Sequence, residues 1–243
     1  MKKKLNAARI ASLLTLLFLI TLSTISFTNS GGAPGGHTAA PGEINCTTCH
    51  AGTLQTSGTN YNNISLTGDF TGNGYIPDST YTITFSYTHS GKSKFGYQLT
   101  CLDNADKMAG SFALISGNNK SRINSKTING SLRNYMNHTS SGNSGSGSNK
   151  WEFEWTAPSS NLGEVKFYTV VNSANGSGTG GDIIIAREFT INPSDSLPEV
   201  TASSSSTTIC AGELVELKGS TTDSVSKWAW SISGASPSSS STK

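Results

Sequence analysis

Charge is scarce in this chain. Lys, Arg, Asp and Glu together make up 13% of its 243 residues. Four of the basic residues, Lys2, Lys3, Lys4 and Arg9, crowd the N-terminus, so residues 31–243 carry a formal charge of −2. With neither a positive excess nor a basic stripe, nucleic acid is not expected as a partner. Amphipathic helices are missing as well. No stretch after residue 30 keeps an apolar period of about 3.6 residues over an ordinary helix length, which points away from helical architectures. Signatures of common reaction centres are also lacking. Asp69, Asp103 and Asp106 do not fall in a calcium-loop spacing, no Ser-His-Asp set has supporting context, and the glycine-rich stretch 178–181 precedes no helix that could hold a phosphate. Glu152 and Glu154 alternate with aromatics and read as the solvated face of a strand. What is present is 26 glycines, many Ser, Thr and Asn, and 34% hydrophobic residues, the balance of an exported β-rich module with polar loops.

Export is written at the N-terminus. A basic head is followed by an uncharged apolar run from Ile10 to about Phe27 and by small polar residues around Ser26 to Ser30. This is the layout of a secretory signal peptide, with cleavage expected near Ser30 and no other hold on a membrane. The run is near the lower limit of about 17 residues for a span, so an uncleaved anchor is the alternative. No cysteine closely follows it to carry a lipid. The chain is therefore expected to be secreted or held at the cell surface, in a compartment that permits disulfides.

Four cysteines occur, and two of them lie in Cys46-Thr47-Thr48-Cys49-His50. Two thiols three positions apart, with a histidine directly behind the second, are the spacing of a c-type haem attachment site. Cys46 and Cys49 would tether the macrocycle as thioethers, and His50 would take the iron. The expected cofactor is thus haem c. A disulfide or redox pair between Cys46 and Cys49 is the competing reading. Zinc is weaker, because a closed structural site needs four ligands and Cys101 and Cys210 lie far off without a second paired motif.

Beyond the motif, strand-like runs succeed one another. Tyr81, Ile83, Phe85 and Tyr87 share one face of 80–88, and Phe95, Tyr97, Leu99 and Cys101 share one face of 94–103. Cys101 is read as a buried thiol, with a disulfide back to the N-terminal segment as the alternative. Trp151, Phe153 and Trp155 repeat the alternation. Further strands are expected over 63–70, 111–116, 121–128, 164–172 and 182–191. Residues 138–149 read as a flexible Ser/Gly/Asn loop. Eight short strands separated by turns predict an all-β fold, an antiparallel β-sandwich of immunoglobulin-like type. The expected organisation is a signal peptide at 1–30, an arm bearing the motif at 31–62, the sandwich at 63–192, a linker at 193–198, and an incomplete immunoglobulin-like module at 199–243 in which Cys210 lacks its partner.

Several placed motifs carry a resemblance. They are Gly32-Ala33-Pro34, the stretch from Thr38 to Glu43, the Cys-x-x-Cys-His, Phe95-Gly96-Tyr97-Gln98, Tyr135 to Thr139, Trp151 to Pro158, Val165 to Tyr168, and Asn172 to Gly176 ahead of Gly181-Asp182. Through them the chain resembles the bacterial choice-of-anchor V group, which is similar to the animal reeler domain. The resemblance implies a β-sandwich of exported surface proteins and assigns no reaction. The tail, through Ile209 to Gly212 and Trp228 to Trp230, resembles a polycystic-kidney-disease type repeat, a spacer of surface proteins.

A haem needs its second axial position accounted for. Of the four histidines, His138 is the first choice as distal ligand, since it closes the Tyr135-Met136 segment. Met108 and Met136 are alternatives. His37 reads as part of a mobile approach, and His89 as a turn residue. The functional expectation is an exported sandwich carrying haem c for electron transfer or sensing, with an unnamed redox partner or surface ligand. The competing expectation is a non-enzymatic adhesion module in which Cys46 and Cys49 form a structural disulfide.

Overall fold

A computed structural model describes residues 29–70 and 74–194, and within the tail 201–206, 208, 210, 215–220, 228–231 and 239–242. The expected signal peptide falls almost wholly outside the described residues, as does most of the expected linker. The chain divides into two units, residues 1–193 and 194–243.

The first unit is a β-sandwich. Its strands are β1 (Leu54–Gln55), β2 (Ile64–Gly68), β3 (Thr80–Thr88), β4 (Lys94–Leu102), β5 (Ser111–Ala113), β6 (Ser121–Ile128), β7 (Ser131–His138), β8 (Ser148–Thr156), β9 (Val165–Ala174) and β10 (Ile183–Ile191), with one helical turn, α1 (Thr59–Asn62), between β1 and β2. Six strands form one sheet in the order β1-β10-β9-β4-β7-β6, and four form the other in the order β2-β3-β8-β5. All neighbours are antiparallel except β1, which runs parallel to β10. The all-β sandwich expected from alternation is therefore the observed fold, with two strands more than the sequence pattern shows. β1 is only two residues long, and β7 escapes the alternation pattern because its outer face carries Arg133 and Asn137.

Alternation decides what the core contains. Tyr81, Ile83, Phe85 and Tyr87 of β3 and Trp151, Phe153 and Trp155 of β8 face Phe95, Tyr97, Leu99 and Cys101 of β4 and Phe167 of β9. The sheets meet through rings. Tyr97 lies 4.6 Å from Trp151 and 5.0 Å from Phe85 between centroids, and Trp155 lies 5.2 Å from Phe167. The indole N–H groups are satisfied, Trp151 by the Gly142 carbonyl at 2.8 Å and Trp155 by the Ala109 carbonyl at 3.0 Å. The first bond fastens the stretch expected to be a flexible loop: Gly142 is buried, and its carbonyl also accepts from the Asn149 side chain. Cys101 is buried without a disulfide, and burial drives its thiol well above the ordinary range.

One departure from simple alternation positions the site. All of β4 after Lys94 is buried, on both faces. Its outer face is covered by the irregular arm of residues 31–45, pinned through Gln98, whose amide donates to the Pro34 carbonyl at 2.8 Å and whose oxygen accepts the His37 N–H at 2.6 Å. Further along, the fully buried Glu43 carboxylate accepts from Arg133 at 2.7 Å, Tyr135 at 2.8 Å and Thr38 at 2.6 Å. The second unit, taken by itself, contains two antiparallel pairs, β11 (Thr201–Ser204) with β12 (Leu217–Ser220) and β13 (Trp228–Ser231) with β14 (Ser239–Thr242).

Truncating the central indole, Trp155→Ala, is expected to destabilise the sandwich by about 3–5 kcal/mol, read as a lowered urea midpoint by near-ultraviolet circular dichroism. Arg133→Met leaves Glu43 buried without its cation and is expected to cost about 3–5 kcal/mol in the same measurement. A change below about 1 kcal/mol would mean that this pair does not hold the arm.

Candidate functional site

Cys46–Thr48 form a single 3-10 turn. Asn45 caps it, its side-chain oxygen accepting the Thr47 N–H at 2.9 Å, and the Cys49 and His50 N–H groups both return to the Cys46 carbonyl, at 3.2 and 2.9 Å. In such a turn residues three apart lie one above the other, so Cys46 and Cys49 share a side. The two sulfurs are not bonded to each other. Cys49 is exposed and Cys46 partly covered. Burial, and secondarily the neighbouring Cys49, push the Cys46 thiol up to about 12.

The turn opens onto a cavity of about 320 Å³, toward the small end of the range of roughly 300–1,000 Å³ typical of ligand pockets. Cys46, Cys49 and His50 line it together with His138 from the end of β7, although the chain separates the motif from His138 by almost ninety residues. Ala33, Pro34, Phe95 and Ala174 supply apolar wall. His37 lines it too, buried at 8% exposure. The expectation that His37 belongs to a mobile approach is thus corrected. Its N–H is held by Gln98, and its ring Nδ1 lies 2.8 Å from the Pro34 carbonyl.

His50 is oriented from behind. Its Nδ1 lies 2.6 Å from Oδ2 of Asp182, whose side chain is fully buried while that of His50 is 23% exposed. Asp182 immediately precedes β10, and its other oxygen accepts the Asn175 N–H at 3.0 Å. Asn172 of β9 donates to Asp182 at 3.2 Å, and its own buried side-chain oxygen has no partner. Ala51 ties the segment to the same hairpin by donating to the Thr179 carbonyl at 2.9 Å. A carboxylate that fixes an imidazole through Nδ1 leaves Nε2 as the lone-pair donor.

His138 sits where the β4–β7 ladder stops. Room for its ring exists because residue 96 is glycine, since a Cβ there would stand 2.8 Å from His138 Cε1. The Tyr97 N–H donates to His138 Nδ1 at 3.0 Å. Burial, ahead of its other influences, lowers the basicity of this ring.

The two alternatives from methionine are placed elsewhere. Met108 bridges to Leu102 with its sulfur 3.8 Å from the Thr100 hydroxyl, away from the cavity wall, and Met136 lies in the core between the sheets. His89 contacts Ser173 at 2.9 Å and Tyr87 at 3.1 Å and does not line the cavity. Among the described residues no three His, Cys, Asp or Glu side chains form a group that could hold a bare metal ion. Sequence reasoning assigned no role to Asp182 or Asn172. Their only signal was their place in the Asn172 to Asp182 stretch that carried the family resemblance.

The Reeler domain family model matches residues 44–175, from the residue before the cap of the motif turn to the loop after β9. The chain belongs to the Reeler domain family. As a Reeler β-sandwich it is a binding module of the extracellular type. Among solved structures, the Reeler chain is similar to the Reelin-N domain of F-spondin, at 17% identity over 59% of this chain and 93% of that one, with a TM-score of 0.41. It is similar to the human F-spondin reeler domain at 17% identity, over 58% and 95% of the two chains, with a TM-score of 0.38. A type II cohesin domain from the cellulosome of Acetivibrio cellulolyticus follows at 10% identity, 53% and 94% coverage and a TM-score of 0.29. No curated protein matches the chain.

In the native Reeler protein at pH 8, the thiolate fraction of Cys46 is expected to be about 10⁻⁴, so iodoacetamide should label Cys49 and spare Cys46 until urea is added. Fragment-ion mass spectrometry between the two positions reads the order. Equal labelling of both in the native protein would refute the burial of Cys46.

Proposed function

We propose that this Reeler module is exported and carries one covalently attached c-type haem in the cavity beside the motif turn, for electron transfer or haem-based sensing at the cell surface. The observation that supports it best is convergence: two thiols on one side of a turn, an imidazole fixed by a buried carboxylate, and further imidazoles brought from the arm and from β7 all face one partly apolar cavity. These residues fit the group. Cys46 and Cys49 would be the tethers, His50 would hold the iron through Nε2, and Ala33, Pro34 and Phe95 would supply apolar wall. A haem held by these residues would supply a one-electron couple or a position for binding a small ligand.

The chain's own residues do the rest. Asp182 holds the His50 proton at Nδ1 and fixes the ring direction. Glu43, Arg133 and Gln98 hold the arm against the outer face of β4 and β7, so that the turn and the sheet keep their spacing. The signal at 1–30 delivers the chain outside the cytoplasm, and the tail from Glu199 is a spacer of the polycystic-kidney-disease type. The redox partner or surface ligand is approached at the exposed Cys49 edge. The competing reading, a structural disulfide, gains nothing from the unbonded pair.

Full-length protein produced in cells competent for cytochrome c maturation is expected to show a Soret band that survives acid–acetone extraction. The Cys46→Ala, Cys49→Ala double variant is expected to lose it while keeping its far-ultraviolet circular dichroism. A colourless wild-type product from such cells would end this reading.

A further inference from the structure

Three histidines line the cavity, and their hydrogen bonds sort them into two kinds. The sorting rests on where each ring keeps its proton, because only an unprotonated ring nitrogen can bind iron.

His138 is determined by the strand beside it. In β4 the Phe95 N–H points away from β9, to the Asn143 carbonyl at 2.8 Å. Tyr97, two residues on, points its N–H the same way. The β4–β7 register pairs Leu99 with Met136 and Gln98 with Asn137, and the next step would pair Tyr97 with His138. The ladder ends there, and the Tyr97 N–H is received by His138 Nδ1 at 3.0 Å. The residue is buried, so this amide requires an acceptor. The Tyr97 carbonyl is also near, 3.2 Å from Nδ1, but a proton on Nδ1 would set two N–H groups against each other and orphan the amide. Nδ1 is therefore the acceptor, and the ring proton sits on Nε2. Neither nitrogen of His138 then offers a lone pair to a metal.

His37 is the reverse case. Its Nδ1 faces the Pro34 carbonyl at 2.8 Å, and a carbonyl can only accept, so the proton lies on Nδ1. Nε2 keeps its lone pair and has no hydrogen-bond partner among the described residues. The backbone of the same residue is held by Gln98 at 2.6 Å. His50 likewise donates from Nδ1 to Asp182, with the Asn172 amide 3.4 Å from its Nε2.

We propose that His37, rather than His138, is the second axial ligand, and that His138 stands beside the site as a hydrogen-bond donor through Nε2. The inference rests on the haem reading above and narrows it. An imidazole in each axial position would leave the iron without a vacant site for an exogenous ligand, which favours electron transfer over ligand binding. His37 and the motif belong to the same arm, so both ligands arrive together when that arm docks.

The test uses the full-length haem-loaded protein. Wild type is expected to be low-spin in both oxidation states and not to bind carbon monoxide when reduced. His37→Ala is expected to become high-spin and to bind carbon monoxide, with added imidazole restoring the low-spin spectrum and thereby showing that the variant is folded. His138→Ala is expected to stay low-spin. A high-spin His138→Ala with a low-spin His37→Ala, or a high-spin wild type, would overturn the assignment while leaving the haem reading intact. Absence of any Soret band would overturn both. Independently of loading, ¹⁵N spectra of the haem-free Cys46→Ala, Cys49→Ala protein are expected to show the proton of His138 on Nε2 and that of His37 on Nδ1. The opposite pattern would overturn the inference.

Discussion

A carboxylate with no access to water holds the site in place. Glu43 lies in a segment without regular structure, and such a segment can be buried only if its polar groups find partners. Arg133, Tyr135 and Thr38 supply them to Glu43 itself, and Arg133 in turn donates to the Pro41 and Asp106 carbonyls. The arrangement is conditional. Removing one member leaves an uncompensated charge inside, so the arm is either fully docked or substantially released. Everything that faces the cavity from the arm, from Ala33 to His50, inherits its position from this docking.

The sandwich beneath has a different economy. Its aromatic core, from Tyr81 and Phe85 to Trp151 and Trp155, is specified by alternation. What makes this sandwich a support for a site is the second, polar face of the six-stranded sheet. Gln98, Thr100, Arg133 and Asn137 are buried there, each with a hydrogen bond to the arm, to Asp106 or to a neighbouring strand. A face of this composition cannot be left against an apolar cover, and it selects the carbonyl-rich Gly/Pro segment that covers it. Gly32 shows how close the fit is. A Cβ at that position would stand 2.5 Å from the His138 carbonyl.

The strand pattern over 80–88, 94–102, 121–128, 151–156 and 183–191 was legible because period-two alternation is local, and the motif at 46–50 was legible because its spacing is local too. β7 was not, since a strand buried beneath an arm places Arg133 and Asn137 where alternation expects solvent. The loop after it looked mobile from its Ser, Gly and Asn content, yet the Trp151 indole fastens Gly142. His37 reads as part of a mobile approach for the same reason that β7 is missed, because nothing in the sequence says that the arm is covered. Met108 was drawn toward the site by its chemistry alone, and the fold keeps it against Thr100 and Leu102.

By itself the sequence determined the elements whose cause is close at hand: alternating strands sufficient for a sandwich, and two cysteines and a histidine at a spacing set by one turn of chain. Tertiary structure decided which distant groups meet that turn. Asp182 reaches His50 because the β9–β10 hairpin ends beside it, and His138 reaches the cavity because the β4–β7 ladder stops one residue short. His37 joins them because the arm lies across β4. These meetings depend on register and on docking, which are properties of strands paired across the whole domain, and no local pattern of residues encodes them.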